Sequence, residues 1–348
     1  MRSLAPVLLV VAACSADSSS EIGTVRSAII AGSDSPADQD AVVMIKHYDA
    51  VKIGGGSEGC TGTMLTPRLV LTARHCVAAT DPQLACEADG TASFGGAVTE
   101  SYPANKLFAF SGTARPDFIS GLDRAARGVE IIDDAAKNLC NHDLALILLD
   151  KDLPGAKIAP IRLDAPPRTG ELTTVVGWGV TDGDPSPDVR KQRTGVAIAA
   201  VGPGESIGPA EFRVGESGCA GDSGGPAFAP SGAILGVLSR GGNGKNPDPS
   251  SPALNCIGGN NVFTAVAGFR DLILSAYSKA GQDPWNEGAP DPRTVPKTET
   301  PSSGDDDDAG GGCAIATRDA HSKSGAVIAA AIALAACVRR RRTRSSSA

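Results

Sequence analysis

The stretch from Gly218 to Pro226 constrains the fold and the chemistry of this chain more than any other segment. It reads Gly-Cys-Ala-Gly-Asp-Ser-Gly-Gly-Pro, so Ser223 lies among glycines. Glycine adopts backbone angles that other residues reach only at a cost, and this allows a sharp turn with an exposed serine hydroxyl. The same turn can aim the backbone N–H groups of Gly221 and Ser223 at one point, as an acyl-transfer oxyanion requires.

A serine hydroxyl is a weak nucleophile until a base takes its proton, so the chain must also supply a base and a group that orients it. The block Leu-Thr-Ala-Arg-His-Cys offers His75 as the base, and the block His-Asp-Leu-Ala-Leu-Ile offers Asp143 as the orienting acid. Along the chain the order is His, Asp, Ser, which is the order of the chymotrypsin-type triad. An esterase built on a Gly-x-Ser-x-Gly turn has another order, so the sequence disfavours that class.

On these residues the sequence resembles the trypsin/chymotrypsin-like serine proteases (peptidase family S1). The resemblance covers roughly residues 29 to 280 and rests on four signatures in the family's order. They are Ile-Ile-Ala-Gly at 29–32, Ala-Arg-His-Cys at 73–76, Asp-Leu-Ala-Leu at 143–146 and Gly-Asp-Ser-Gly-Gly-Pro at 221–226. A fifth and weaker match is Gly-Trp-Gly at 177–179. Arg74 departs from the family, which usually has a small residue before the histidine.

The resemblance implies an all-β fold of two antiparallel six-stranded β-barrels with a C-terminal helix, in a protease domain at 29–281. The composition agrees, because an aromatic content of 4%, 42 glycines and 24 prolines favour short strands and many turns. Proline-rich residues 153–167 are interpreted as the crossover between the two halves. Apolar residues at a near-helical period predict a helix at 266–279, packed on the second barrel. Strands are predicted at 41–45, 60–65, 69–72, 92–98, 128–132, 143–149, 173–179, 196–201, 233–239 and 262–264.

The resemblance also implies a role for each residue of the triad. Ser223 is the nucleophile, His75 is the general base and then the acid, and Asp143 holds the imidazole. The N–H groups of Gly221 and Ser223 form the oxyanion hole. The reaction that follows is hydrolysis of internal peptide bonds through an acyl-enzyme. A non-catalytic surface binding protein on a protease scaffold is the alternative function, because fold does not imply function.

An activation step is implied by the Ile-Ile-Ala-Gly signature. Cleavage after Ala28 would free the amino group of Ile29, which in the family folds inward and pairs with the Asp before the nucleophile, here Asp222. The physical reason is that a buried carboxylate needs a charge partner. The chain is therefore expected to be made as a zymogen.

The substrate pocket is assigned by the same resemblance. Ser217 stands at the position of the pocket floor, where trypsin-like members carry Asp, so a strong preference for basic side chains is not expected. Ser239 and Gly241 resemble the pocket wall, with Arg240 in place of the usual Trp. Asn261 stands where many members have Gly, and would narrow the pocket. We expect small or apolar side chains at the cleaved bond.

The nine cysteines and the signal-like start point to an oxidising compartment. Three of the cysteines are interpreted as anchoring or membrane cysteines, and the other six are left for the folded domain, where they allow many connectivities or free buried thiols. The resemblance implies the pairs Cys60–Cys76 and Cys219–Cys256, which leaves Cys86–Cys140. The three set aside are Cys14, Cys313 and Cys337.

The net charge of −7 argues against nucleic acid as a partner, and the expected partners are protein or peptide substrates of a monomer. The acidic run at 305–308 is interpreted as a solvated spacer. His142 and His47 are interpreted as turn histidines. Because no cluster of ion ligands is visible, neither a metal nor a cofactor is expected.

Both ends of the chain carry features of export and anchoring. Residues 1–14 hold an apolar run before Cys14 and are interpreted as a lipoprotein-like signal peptide, with an ordinary signal peptide as the alternative. Residues 15–28 are interpreted as a pro-segment, and 282–312, rich in Pro, Gly, Asp, Ser and Thr, as a disordered linker.

Residues 313–348 combine Cys313, an apolar run and an arginine cluster. This layout resembles the Myxo-type C-terminal sorting tags of some Gram-negative surface proteins, in which the Cys carries the anchor. The apolar run at 325–338 would form a short helix of about 21 Å, below the roughly 30 Å of a hydrocarbon core, so a weak membrane helix is the alternative. We expect an exported protein at the cell surface or outer membrane of a Gram-negative bacterium, or released from it.

Cleavage after Ala28 would remove a lipid on Cys14 together with the pro-segment, so the mature chain is expected to keep a lipid at Cys313 alone. Cells expressing the chain can be labelled with a fatty-acid analogue and the precursor and processed forms separated. Cys313→Ser should abolish label on the processed form, whereas Cys14→Ser should leave it. A processed form without lipid in the unsubstituted chain would contradict this anchor.

Overall fold

The computed structural model describes residues 28–48, 59–81, 83–245, 248, 250–251 and 253–294. Four predicted segments lie outside the described residues, as do Cys14 and Cys313. They are the signal peptide at 1–14, the pro-segment up to residue 27, the linker beyond residue 294 and the segment 313–348.

In chain order the strands are β1 (Ser33–Asp34), β2 (Val42–His47), β3 (Cys60–Thr66), β4 (Leu69–Thr72), β5 (Ala78–Thr80), β6 (Leu84–Cys86), β7 (Ala92–Gly95), β8 (Val98–Ser101), β9 (Leu107–Phe110), β10 (Ala126–Ile132), β11 (Ala145–Leu149), β12 (Leu172–Gly177), β13 (Lys191–Val201), β14 (Glu211–Val214), β15 (Pro226–Phe228), β16 (Ile234–Gly242) and β17 (Asn260–Ala265).

In the described part of the chain the helical elements are few and short. A single kinked turn, α1 (Ala28–Ala31), precedes the strands, and an 11-residue helix, α2 (Arg270–Ala280), follows them. Four 3₁₀ turns lie at Ala37–Gln39, Arg74–Cys76, Ala104–Lys106 and Val266–Phe269.

The first barrel closes through six strands in the order β10-β11-β4-β3-β2-β9. Its central strands are continuous apolar runs. Because successive side chains of a strand point in opposite directions, each run presents an apolar face on both sides. Val70 and Ile147 point into the barrel core, whereas Leu71 and Leu146 join the cluster that also contains Phe228 of β15. The apolar runs of the sequence therefore serve both the barrel and its contact with the second half.

The second barrel is formed by β13, β12, β15, β16, β17 and β14, and a further pairing of β13 with β14 closes it. β1 adds to the outer side of β13. Phe212 and Phe263 stack at 5.3 Å between ring centroids in its core. The prediction of two antiparallel six-stranded barrels with a C-terminal helix is confirmed.

The predicted strand at 92–98 is wrong in one respect, because it is two strands. The chain turns at Gly95–Gly96, so that β7 pairs with β6 and β8 pairs with β5. The predicted strand at 143–149 begins later, at Ala145.

The C-terminal helix packs on a different partner from the one predicted. Ile273, Ala276 and Tyr277 form one apolar stripe, and they join a cluster with Leu69 and Leu146. α2 thus contacts β3, β4 and β11 of the first barrel, although it follows the last strand of the second. The helical period identified the apolar face of α2 but could not identify the surface that covers it.

Residues 282–294 differ from the linker expected there. Trp285 packs against the core of the first barrel, and its carbonyl accepts the N–H of Ile161 at 2.9 Å. Glu287 binds Arg162 through both carboxylate oxygens. The folded part of the chain therefore continues past residue 281.

None of the helices in the described part of the chain has the length and apolar character needed to span a bilayer.

Candidate active site

His75 and Asp143 meet because their strands are neighbours. His75 lies in the 3₁₀ turn after β4, and Asp143 lies two residues before β11, which pairs with β4. The Nδ1–H of His75 donates to Asp143 Oδ2 at 2.8 Å, and the backbone N–H of His75 donates to Oδ1 at 3.0 Å. Asp143 is fully buried, whereas 20% of the imidazole is exposed. The ring is therefore held by its inner nitrogen while part of it faces solvent.

The pair shifts both pKa values in the directions expected of a charged couple. Burial alone would lower the pKa of His75, but the charge of Asp143 and its hydrogen bond outweigh it and raise that pKa above 6.5. Burial alone would raise the pKa of Asp143, but His75 and the hydroxyl of Ser239 hold that pKa below its ordinary value. The geometry thus stabilises an imidazolium beside a carboxylate.

The turn that carries Ser223 packs against the segment that carries His75. The carbonyl of Ser223 accepts the N–H of Thr61 at 2.8 Å and lies 3.5 Å from Cys76 Sγ. A Cβ at Gly224 would lie 2.1 Å from Thr72 Oγ1, so only glycine permits this approach. Among the described residues, the Ser223 hydroxyl has no hydrogen bond to the imidazole.

The two predicted oxyanion donors are available. Within the described chain, the N–H groups of Gly221 and Ser223 donate to no protein acceptor. The carbonyl of Gly221 is turned the other way, where it accepts the hydroxyl of Thr61 at 2.9 Å. Thr61 therefore binds the turn on both sides of Asp222, and sequence analysis did not single it out.

Asp222 is fully buried and makes two hydrogen bonds, from the N–H of Gly179 at 2.7 Å and from that of Cys219 at 2.9 Å. A Cβ at Gly177 would lie 2.1 Å from its Oδ1, and one at Gly179 would lie 2.5 Å from its Oδ2. The Gly-Trp-Gly signature is therefore explained by the space that this carboxyl group needs.

Among the described residues no ammonium group binds Asp222, and Ile29 is joined to Ala28 by a peptide bond in the uncut chain. Burial accordingly raises the pKa of Asp222 to about 7, against the two backbone hydrogen bonds and the charge of Arg115, which lower it. The side chain of Ile29 already lies in the core of the second barrel. Its φ of 43° is a strained value for a β-branched residue.

The predicted pocket residues lie together, and Asn261 occupies the space between them. Its Oδ1 accepts the hydroxyl of Ser217 at 2.9 Å and the N–H of Gly218 at 2.9 Å. A Cβ at Gly241 would lie 2.2 Å from Asn261 Nδ2, so the amide reaches from one wall to the other. Ser217 is fully buried beneath it.

Ser239, which is assigned to the pocket wall, also contacts the buried acid. Its hydroxyl donates to Asp143 Oδ2 at 2.7 Å, so its side chain serves the buried acid. Arg240, the next residue, binds Glu211 through both carboxylate oxygens. Glu211 had no distinguishing sequence signal, since an isolated acidic residue is usually exposed.

Arg74 is buried beside His75. Its guanidinium donates to the hydroxyl of Ser101 at 2.9 Å and lies 3.6 Å from a carboxylate oxygen of Asp133. These partners satisfy the guanidinium only in part, because its Nε and Nη1 make no hydrogen bond among the described residues. His142 pairs with Asp134 at 2.6 Å.

The three disulfides pair as expected: Cys60–Cys76, Cys86–Cys140 and Cys219–Cys256. The sulfurs of the first disulfide and a ring nitrogen of His75 lie within 4.8 Å of one another. Sulfurs bonded to each other are not thiolates, so this cluster lacks the ligands of a cysteine metal site.

Comparisons with known proteins agree with the two-barrel fold. A family model described as Trypsin matches residues 45–273. Trypsin alpha-4 of Lucilia cuprina is 28% identical over 239 residues, which cover 64% of this chain and 79% of that protein. Phenoloxidase-activating factor 3 of Holotrichia diomphalia is 27% identical over 219 residues, which cover 54% of this chain and 58% of that protein. A solved structure of a mutant of human heparin binding protein matches with a TM-score of 0.51 and 21% identity over 74% of this chain and 100% of that one, and this likeness shows the fold alone.

The uncut chain is expected to lose stability as pH rises through the window set by Asp222. Below pH 3.8 the carboxyl is protonated in both states, and between 3.8 and about 7 the folded state binds the extra proton. Above about pH 7 the buried carboxylate is charged, and it lowers the free energy of unfolding by roughly 4 kcal/mol, at about 1.4 kcal/mol per pKa unit. In a chain carrying Ser223→Ala to prevent self-cleavage, Asp222→Asn should remove this loss.

Urea unfolding at pH 4.5 and 7.5 measures the effect as the difference between the two variants. The exposed Asp271→Asn is the matched control and should leave the pH dependence unchanged. If Asp222→Asn changes stability equally at both pH values, the assigned pKa shift is wrong.

Proposed function

The chain belongs to the trypsin family, and we propose on that basis that it is a serine endopeptidase that hydrolyses internal bonds of proteins or peptides. The observation that carries the proposal is the hydrogen-bonded pair of His75 and the buried Asp143, with the Ser223 turn packed against the segment that carries His75. Each of the three side chains has the chemistry that its proposed role requires.

The proposed reaction passes through an acyl-enzyme. Ser223 Oγ attacks the substrate carbonyl carbon while the imidazole of His75 takes the hydroxyl proton. The oxyanion binds the N–H groups of Gly221 and Ser223. When the C–N bond breaks, the imidazolium gives its proton to the leaving amine. Water then repeats the sequence on the ester, releasing the acid and restoring the hydroxyl.

Asp143 holds the imidazole in the tautomer that leaves its outer nitrogen free to accept the proton. Its buried charge also raises the pKa of His75, which favours the imidazolium that forms during the reaction. The hydroxyl of Ser239 and the N–H of His75 share the remaining acceptor capacity of the carboxylate. These contacts support a fixed orientation of the base.

Activation is proposed to follow cleavage after Ala28. The new ammonium of Ile29 would provide the cation that Asp222 lacks in the uncut chain. The cleavage would also release Ile29 from its strained φ, since an N-terminal residue has no preceding peptide bond. Arg193 donates to the carbonyl of Ile30 at 2.8 Å, and this hydrogen bond supports a binding site for the new N-terminal segment.

The pocket supports a preference for small side chains at the cleaved bond. Asn261 lies across the space between Ser217 and Gly241, and its amide is satisfied by groups of the pocket itself. A long or bulky side chain would have to displace it. Ala28, the residue before the proposed cut, has the kind of side chain that such a pocket accepts.

The disulfides fit an extracellular protein, as trypsin homologues usually are. We further propose an exported protease anchored at a Gram-negative cell surface or outer membrane through Cys14 or Cys313, active as a monomer. The alternative is a non-catalytic binding protein on the same scaffold.

A fluorophosphonate probe separates the enzyme from the binding scaffold, because it reacts only with an activated serine. The processed chain should be labelled at Ser223, and Ser223→Ala should abolish the label. Asp143→Asn should lower turnover about 10⁴-fold, as it does in the chymotrypsin-type triad. It should also move the acid limb of the rate profile to lower pH, because it removes the charge that raises the pKa of His75.

Active-site titration and pH profiles of peptide hydrolysis measure both effects. A processed chain that neither binds the probe nor cleaves peptides would favour the binding scaffold. Nearly full activity in Asp143→Asn would contradict the role given to the acid.

Asn261→Gly should enlarge the pocket and change the preference at the cleaved bond. Peptides that differ only there, with Ala, Val, Leu or Phe, are compared by kcat/KM. The unsubstituted protease should prefer Ala, and the variant should gain about tenfold or more for Leu or Phe relative to Ala. The exposed neighbour Asn260→Gly is the matched control. An unchanged ranking in Asn261→Gly would show that the amide does not limit the pocket.

A further inference from the structure

Glu211 and Arg240 form a buried ion pair that no step of the proposed reaction uses. The side chain of Glu211 is fully buried, and that of Arg240 is 14% exposed. The guanidinium donates to the two carboxylate oxygens at 2.6 and 2.8 Å. Removing two charges from water is costly unless the pair has close geometry and further hydrogen bonds, so the other partners of the pair matter.

Two backbone groups complete the binding of the Glu211 carboxylate. Oε1 accepts the N–H of Asn141 at 2.9 Å, and Oε2 accepts the N–H of Gly208 at 2.8 Å. Arg240 also donates to the carbonyl of Ser206 at 2.8 Å. The carboxylate therefore joins β14, β16 and the loop that carries the proposed catalytic acid.

The pair is linked to Asp143 on two sides, through Asn141 and through Ser239. Asn141 precedes Asp143 by two residues in the chain, and Arg240 directly follows Ser239, whose hydroxyl donates to Asp143 Oδ2 at 2.7 Å. A closed circuit of covalent and hydrogen bonds thus runs from Asp143 through Ser239, Arg240, Glu211 and Asn141 back to Asp143. It crosses from the second barrel to the entrance of β11 in the first.

The conformation of Asn141 depends on the second barrel in a further way. Its Oδ1 accepts the N–H of Ala210 at 2.6 Å, and its φ is 65°, a left-handed value. A Cβ at Gly208 would lie 2.8 Å from Asn141 Oδ1, and one at Gly90 would lie 2.9 Å from Asn141 Cβ. Asn141 therefore has little room to adjust if its partner on Glu211 is lost.

We propose that Glu211 and Arg240 are a positioning pair that holds Asp143 in the orientation in which it binds His75. The inference rests on the proposed protease function, and neither residue touches the reacting atoms. The guanidinium is committed to Glu211, so its charge is balanced within the protein. The pair acts through Asn141 on one side of the acid and through Ser239 on the other.

The test uses the processed chain, made from the full-length precursor, with Glu211→Gln. The amide keeps one oxygen for Asn141 but loses the charge and one acceptor site. Because a small misplacement of a catalytic group costs about 10²-fold, we expect kcat to fall roughly 10- to 100-fold. KM should stay within about twofold, since Glu211 is not a predicted pocket residue and the pocket floor at Ser217 and Asn261 lies outside the circuit.

A pH profile gives a readout that a merely structural role would not move. The charged group that acts on Asp143 is His75 beside it, whereas the Glu211–Arg240 pair reaches it only through Ser239 and Asn141, and the adjacent His142 is paired with Asp134. If Asp143 turns away from His75, it supports the imidazolium less, and the acid limb of kcat/KM should move to lower pH. Arg240→Lys, which keeps the charge, should retain more activity than Arg240→Ala and provides a second variant if Glu211→Gln does not fold.

Glu287→Gln is the matched control. Glu287 binds Arg162 through both oxygens and the hydroxyl of Ser231, and its partners include neither Asn141 nor Ser239. It should lower stability without changing kcat per titrated site or the acid limb.

The outcomes separate the two proposals. An inactive, unlabelled parent chain would overturn the protease function. An active parent whose Glu211→Gln variant keeps kcat per titrated site and the same acid limb would overturn the positioning role alone.

Discussion

The carboxylate of Asp143 is the group on which the rest of the site depends. A fully buried charge persists only when donors and a complementary charge surround it. Asp143 receives the ring and backbone N–H groups of His75 from the first barrel and the hydroxyl of Ser239 from the second. Both barrels must therefore be folded and in contact before the acid is satisfied. The pairing of β4 with β11 brings His75 and Asp143 together, and Thr61 of β3 holds the Ser223 turn against them.

The two fully buried carboxylates of the site have opposite pKa shifts, and the difference follows from their partners. Asp143 faces an ionisable imidazole, which holds its pKa low. Asp222 faces only backbone N–H groups and a distant guanidinium in the uncut chain, so its pKa rises to about 7. The first carboxylate is ready to support a cation, whereas the second still lacks one. This contrast gives physical content to the proposed difference between precursor and mature enzyme.

The departures from the family pattern share one physical property. Asn261, Arg240 and Arg74 each place a polar group in a largely buried position, and each finds its partners inside the protein. Asn261 binds the backbone and hydroxyl of the pocket floor, and Arg240 binds Glu211. Arg74 binds Ser101 and lies near Asp133. Because these groups are bound internally, they change the shape and the support of the site more than its net charge.

The sequence by itself determined the features that depend on a few neighbouring residues. A serine among glycines, a histidine after a short apolar run and an aspartate before another were sufficient to indicate a candidate triad, and the family resemblance that they carry implied the two-barrel fold. The two disulfides implied by the family resemblance and the third left by elimination were also correct. Only the tertiary structure decided the contacts between distant segments: α2 on the first barrel, Trp285 and Glu287 folded back, and Glu211 bound to Asn141 and Arg240. The reason is that a local pattern shows which face of an element is apolar or which residue is polar, whereas the partner is set by how the whole chain closes.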